Sequence, residues 1–181
     1  MTQKAPAAVL VIDLQTGMFD GVGMPVIHGA DALVANVRAL TAWARRSGRP
    51  VAFIRHDGTP GESLAPGAAG WPVWPALGQA DGEPTFQKSV GDSFSQPALV
   101  DWISGLGAEE VILLGAQTDE CVAATVKGAL ERGLQVTVAA DAHSTWGWGG
   151  ETAEQKIERH NALFAAAGAR VAPVAQIVAG G

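Results

Sequence analysis

The sequence predicts an α/β protein: a three-layer α/β/α sandwich around a mostly parallel, about six-stranded, doubly wound (Rossmann-like) sheet. Three observations carry this. Short, uninterrupted apolar runs recur along the chain, as expected of parallel strands buried on both faces. Segments with apolar residues at helical spacing lie between them. A chain of 181 residues that is 48% hydrophobic, with 23 glycines, suits one compact domain with tight turns.

The first strand is Ala7-Ala-Val-Leu-Val-Ile12, ending on Asp13. Leu14 to Gly29 is broken by Gly17, Gly21, Gly23 and Pro25 and reads as a loop. Asp31 can cap a helix whose Leu33, Val34, Val37, Leu40 and Ala44 share one face, with Gly48 as its stop. Val51 to Arg55 is the second strand, completing a right-handed βαβ unit. The segment 56–84 has no regular period but carries six glycines, five prolines, Trp71 and Trp74. Loops of that length are uncommon inside domains, so a lid or pocket wall is expected; the plain alternative is a solvated excursion stapled down by its tryptophans.

Thr85 to Lys88 reads as a short strand presenting Lys88, and Ser89 to Ser95 as a turn. Pro97 suits a first helical position, with Leu99, Val100, Ile103 and Leu106 as the apolar face. Val111 to Leu114 is a buried strand bounded by Gly115. Thr118 and Asp119 then offer N-caps for a helix carrying Val122, Thr125, Val126, Ala129 and Leu130, stopped by Gly133. Gln135 to Ala140 is a further strand ending at Asp141, followed by a glycine- and tryptophan-rich loop from His143 to Gly150. Thr152 and Gln155 form a capping box for a helix to about Ala167, on which His160 is expected at the surface. Arg170 to Val174 is the last expected strand. No internal repeat or second domain is visible, so residues 1–181 read as one domain.

The net charge of −6 and pI near 5.1 argue against nucleic acid or an anionic membrane as partner. A single cysteine excludes an internal disulfide and suits a reducing compartment. Met1 to Pro6 has no signal-type apolar core, and no apolar run approaches the ~20 residues of a spanning helix. A soluble, cytoplasmic protein acting on a small molecule is the expectation. No Gly-x-Gly-x-x-Gly follows the first strand, so nucleotide binding lacks support.

Open α/β sheets bind ligands outside the carboxyl ends of their strands. Asp13, Lys88 and Cys121 each stand at such an end, and an acid, a base and a thiol together can make an activated nucleophile. Cys121 falls in the first turn of a helix, where free N–H groups and the dipole favour thiolate. A buried, inert thiol and a plain ion pair are the alternatives.

Asp13-Leu-Gln15 with Phe19, Lys88 followed by Gly91-Asp-Ser-Phe94, and Gly115-Ala-Gln-Thr-Asp-Glu-Cys121-Val122 resemble the isochorismatase-like cysteine hydrolases, in order, from about Val9 to Ala167. The resemblance implies a catalytic triad of Asp13, Lys88 and Cys121. It also implies a cis peptide at Ala116–Gln117, and an oxyanion hole made by the backbone N–H groups of Gln117 and Cys121. It implies hydrolysis of a C–N bond in an amide, ureide or carbamoyl amine through a thioester, without a cofactor, and a homo-oligomer (dimer or tetramer). Nicotinamidases of the family hold a metal through Asp-x-His after the second strand plus another histidine. Here that place reads Arg55-His56-Asp57-Gly58, so no metal is expected. Candidate pocket residues are Gln15, Phe19, His28, His56, Trp71, Trp74, His143 and Trp146, with Trp148 in the same loop. The tryptophans could stack on a substrate or pack loops. Two other functions stay open: a vinyl-ether hydrolase acting on isochorismate, and a non-catalytic thiol or small-molecule-binding module.

Overall fold

A computed structural model describes residues 6–180; the polar segment 1–5 lies outside the described residues. The elements are β1 (Ala8–Ile12), α1 (Ala30–Arg46), β2 (Val51–His56), β3 (Thr85–Lys88), α2 (Pro97–Gly105), β4 (Glu110–Ala116), α3 (Ala123–Glu131), β5 (Gln135–Ser144), α4 (Ala153–Ala166), β6 (Arg170–Ala172) and α5 (Val174–Ala179). The six strands form one sheet in the order β3-β2-β1-β4-β5-β6, and every pairing between them is parallel.

The apolar runs divide by parity, because successive side chains of a strand leave by opposite faces. Val9 and Val11 of β1, Val51 and Phe53 of β2 and Ile112 and Leu114 of β4 pack with α1 and α5. Ala8, Leu10 and Ile12, Ala52 and Ile54, and Val111 and Leu113 pack with α2, α3 and α4. Each of these three strands therefore feeds two cores, and a run such as Val9–Ile12 is 0% exposed throughout. Burying a side chain of this size contributes about 1.5–3 kcal/mol.

Four sequence expectations need correction, three at element ends and one in burial. Asp31 is not the cap of α1; Gly29 holds that place in a left-handed conformation and Asp31 lies inside the first turn, where its charge suits the helix dipole. β5 does not stop at Ala140 but continues through Asp141 to Ser144, because Gly115 and Ala116 of β4 pair with His143 and Ser144. Val174 belongs to α5 rather than to the last strand. His160 is buried, its Nδ1 2.9 Å from the Lys156 carbonyl and its ring against Phe164. The Thr152–Gln155 capping box is present, with both reciprocal hydrogen bonds made. Among the described residues no helix is long and apolar enough to cross a membrane.

β1 is the turning point of the winding. The chain proceeds from β1 outward to β2 and β3, then returns to lay β4 on the other side of β1. The crevice between the carboxyl ends of β1 and β4 is thus the topological switch point, where doubly wound sheets take their ligands.

Candidate active site

Asp13 leaves β1 at that crevice with φ 52°, in the left-handed region that few non-glycine residues occupy. Its carboxylate is 1% exposed, and Oδ2 accepts a hydrogen bond from Lys88 Nζ at 2.6 Å. Lys88 comes from the end of edge strand β3, where it is in register with His56 of β2. Its side chain therefore spans past β2 to reach β1, and its ammonium is wholly buried. Burying two ions is stabilising only with close pairing, and this pair is close.

Cys121 enters from the other side of the crevice. Gly115 turns β4 with φ 132°, and a Cβ there would overlap the Ile12 carbonyl of β1. Only glycine lets the two strands approach this closely. The peptide between Ala116 and Gln117 is cis. Thr118–Val122 then forms a single π-helical turn, closed by Val122 N–H donating to Gln117 O at 3.0 Å, before α3 begins. π turns are rare and concentrate at functional sites.

Thr118 and Asp119 do not cap this turn; both side chains are committed elsewhere. Asp119 accepts from Thr145 Oγ1 at 2.6 Å and from Lys156 Nζ at 2.8 Å. Burial pushes its carboxyl up, but Lys156 and Thr145 outweigh that and hold it below the usual carboxylate range. Thr118 Oγ1 lies 2.9 Å from His143 Nδ1. On the far side of the ring His143 Nε2 lies 2.9 Å from Asn161 Oδ1, while Asn161 Nδ2 donates to Ala140 O. Asn161 Oδ1 therefore accepts, Nε2 carries the proton, and Nδ1 accepts from the Thr118 hydroxyl. Burial lowers His143 to about 4, so the ring is neutral near pH 7. The turn bearing Cys121 is thus braced against β5 and α4.

A pocket of about 570 Å³ opens over Asp13, Gln117 and Cys121. The expectation that the helix start would favour thiolate is overturned. Burial, and after it the Asp13 carboxylate, push the Cys121 thiol up to about 12, with Lys88 pulling the other way. The resting arrangement is therefore a thiol beside a buried carboxylate–ammonium pair.

Of the other pocket candidates, His56 lines this space. The rest do not, each for a visible reason. Gln15 is 0% exposed and spends its amide on backbone: Oε1 accepts from His56 N–H, and Nε2 donates to the carbonyls of His56 and Trp71. Phe19 and Trp74 stack on each other at 5.3 Å. Trp71 lies under the Arg55 guanidinium at 3.5 Å and donates its indole N–H to Asp57. Trp146 is buried, donating to Pro25 O, and His143 is the brace just described. His28 faces a separate cleft with Gly147–Glu154, 3.4 Å from Glu154.

The tryptophans of the 56–84 segment thus staple it down, and Leu64 is its apolar contribution to the pocket wall. Asp119, Glu120, Lys156 and the 58% exposed Trp148 complete the mouth. Sequence reading did not place the first three there. The available signal was the capping box at Thr152, which sets the first turn of α4, and so Lys156, at this edge of the sheet.

Residues 7–176 match the Isochorismatase domain. The chain belongs to the isochorismatase family. A streptothricin hydrolase of Streptomyces noursei is 32% identical over 139 residues, covering 77% of this chain and 54% of that protein. The chain spans about half the length of the curated streptothricin hydrolases it matches, at 54% and 50%. Nicotinamidase 3 of Arabidopsis thaliana is 26% identical over 154 residues, covering 77% of this chain and 74% of that one. The crystal structure of an isochorismatase from Pseudomonas putida superposes with a TM-score of 0.85 at 29% identity, covering 97% of this chain and 91% of that one.

Among the described residues of this isochorismatase-family chain, the residues after the second strand are not arranged as an Asp-x-His set at the pocket. Asp57 is held by the Trp71 indole, His143 is used as a brace, and among the described residues His56 is the one histidine lining the pocket.

Proposed function

We propose that this isochorismatase-family protein is a cysteine hydrolase that cleaves a C–N bond of a small amide, ureide or carbamoyl amine through a thioester. The observation that carries the reading is a thiol open to a pocket and set beside a fully buried Lys88–Asp13 pair. An ion pair without further work is more cheaply replaced by apolar residues, so its burial beside a nucleophile favours chemistry. The similarity to a streptothricin hydrolase and a nicotinamidase supports C–N hydrolysis.

Because the thiol is protonated at rest, proton transfer and attack are coupled. As Sγ bonds to the substrate carbonyl carbon, the thiol proton passes to Asp13. The backbone N–H groups of Gln117 and Cys121 hold the oxyanion. The C–N bond then breaks, and the departing nitrogen takes the proton from Asp13. Water attacks the thioester, giving its proton to Asp13; the C–S bond breaks and the proton returns to sulfur. Lys88 keeps Asp13 oriented and offsets the negative charge that builds on sulfur. The net change is one water consumed, one acid and one amine released.

The test is a panel of primary amides, ureides and carbamoyl amines, with isochorismate included, assayed with wild type and Cys121→Ser. Release of ammonia or amine, a mass adduct on Cys121 during turnover, and loss of both in the variant are expected. Turnover of isochorismate that survives Cys121→Ser would instead assign vinyl-ether hydrolysis.

A further inference from the structure

One ring nitrogen of His56, one carboxylate oxygen of Asp13 and the Cys121 sulfur all lie within 4.8 Å of one another, on the wall of the pocket. Two buried polar atoms of this trio have no hydrogen-bond partner: Asp13 Oδ1 and His56 Nδ1. Such atoms are rare in folded proteins; Asp13 has the neighbouring Cys121 thiol to act on, whereas His56 Nδ1 is left without a role. The Asp13 side chain is 1% exposed, with its other oxygen fixed by Lys88. His56 is fixed as firmly, since Gln15 binds both its backbone N–H and its carbonyl. The Asp13 side chain and the His56 backbone are therefore held in place before any ligand arrives.

Thiolate sulfur, imidazole nitrogen and carboxylate oxygen together are a donor set for zinc. Three protein ligands with one side open to a pocket match the pattern of an exchangeable zinc position rather than a closed structural one. We propose that Asp13, His56 and Cys121 form a binding site for a single thiophilic divalent cation of the Zn²⁺ class, which occupies the nucleophile and reversibly arrests the enzyme. On binding, the S–H bond breaks, a sulfur–metal bond forms and one proton leaves to solvent; no oxidation is involved. Lys88, 2.6 Å from the other Asp13 oxygen, opposes the incoming charge and keeps the site weaker than a structural one. This set differs from the Asp-x-His pattern, because it uses the nucleophile itself as a ligand.

The arrest rests on the hydrolase reading, but the binding does not. Calorimetric titration of chelator-stripped, full-length protein with Zn²⁺ tests the binding without any substrate. One equivalent per chain with release of a proton is expected, and Co²⁺ should give a thiolate-to-cobalt charge-transfer band. His56→Ala and His56→Gln should each weaken binding at least tenfold, since even outer partners of a metal ligand are worth about 10- to 100-fold. Cys121→Ser should abolish the cobalt band. Binding that is absent in wild type, or left unchanged by either the His56 or the Cys121 substitution, overturns the site. Neither outcome depends on turnover, so failure here leaves the amide panel to decide the hydrolase reading.

Discussion

Replacing Asp13 with asparagine is expected to make Cys121 more reactive toward an alkylating agent while abolishing turnover. In the structure the thiol is raised to about 12 by burial first and by the Asp13 carboxylate second. An oxygen of that carboxylate lies within 4.8 Å of the sulfur. At that separation a unit charge with an effective dielectric constant near 20 is worth about 3.5 kcal/mol. At 1.36 kcal/mol per pH unit, removing it brings the thiol midpoint from about 12 to roughly 9.5. The thiolate fraction at pH 8 then rises roughly 300-fold, and the lower basicity of the sulfur gives back about one power of ten. Alkylation at pH 8 should therefore run about thirtyfold faster in Asp13→Asn than in wild type. The assay is iodoacetamide labelling followed by intact mass, with chelator present, and tryptophan fluorescence to confirm that the variant is folded. A folded variant that alkylates no faster than wild type would refute the reasoning. It would mean that the resting sulfur is already a thiolate, with its proton on Asp13.

Two further outcomes follow from the brace and the strand crossing. His143 has a folded-state value near 4, below its unfolded value of about 6.5, so its contribution is complete above about pH 6.5 and drains as the pH falls toward 4. Urea denaturation should show about 2 kcal/mol of this loss between pH 7 and 5 in wild type, and His143→Gln should lack that part; equal pH sensitivity in both proteins sinks the assignment. Gly115→Ala places a Cβ against the Ile12 carbonyl at a φ of 132° and should cost at least about 3 kcal/mol. Gly133→Ala, at a φ of 76° in open space, should cost only about 1–2 kcal/mol. Similar melting temperatures for the two variants would contradict the close approach of β1 and β4.

The frame of the fold was legible because its signals are local. Val9–Ile12, Val51–Ile54 and Val111–Leu114 are apolar without a break because both faces of each strand are covered. The capping box at Thr152 is written within four residues. Asp13 and Cys121 stood out because each lies beyond such a run, and Lys88 because it ends a short strand-like segment. What stayed hidden depends on distant partners. The end of β5 is polar at Asp141, His143 and Ser144, and it is a strand only because β4 pairs with it. The turn at Thr118 is shaped by a histidine 25 residues away. Trp71, Trp74 and Trp146 looked like pocket walls, since composition does not say that Arg55, Phe19 and Pro25 already occupy them. The thiol was misjudged for the same reason: the helix start is visible in sequence, whereas burial beside Asp13 is not.

The way the 56–84 segment is moored separates two properties of the molecule. On one side Gln15 grips His56 and Trp71; on the other Thr16, Gly17 and Trp74 bond across to Pro72, Gly70 and Leu14. Between these moorings, residues 59–69 hang over the pocket as an exchangeable cassette, touching it through Leu64. None of its residues makes a hydrogen bond to the sulfur, the carboxylate or the ammonium among the described contacts. On the proposed hydrolase reading, a foreign stretch grafted between these fixed ends is the natural way to redirect the scaffold toward another substrate.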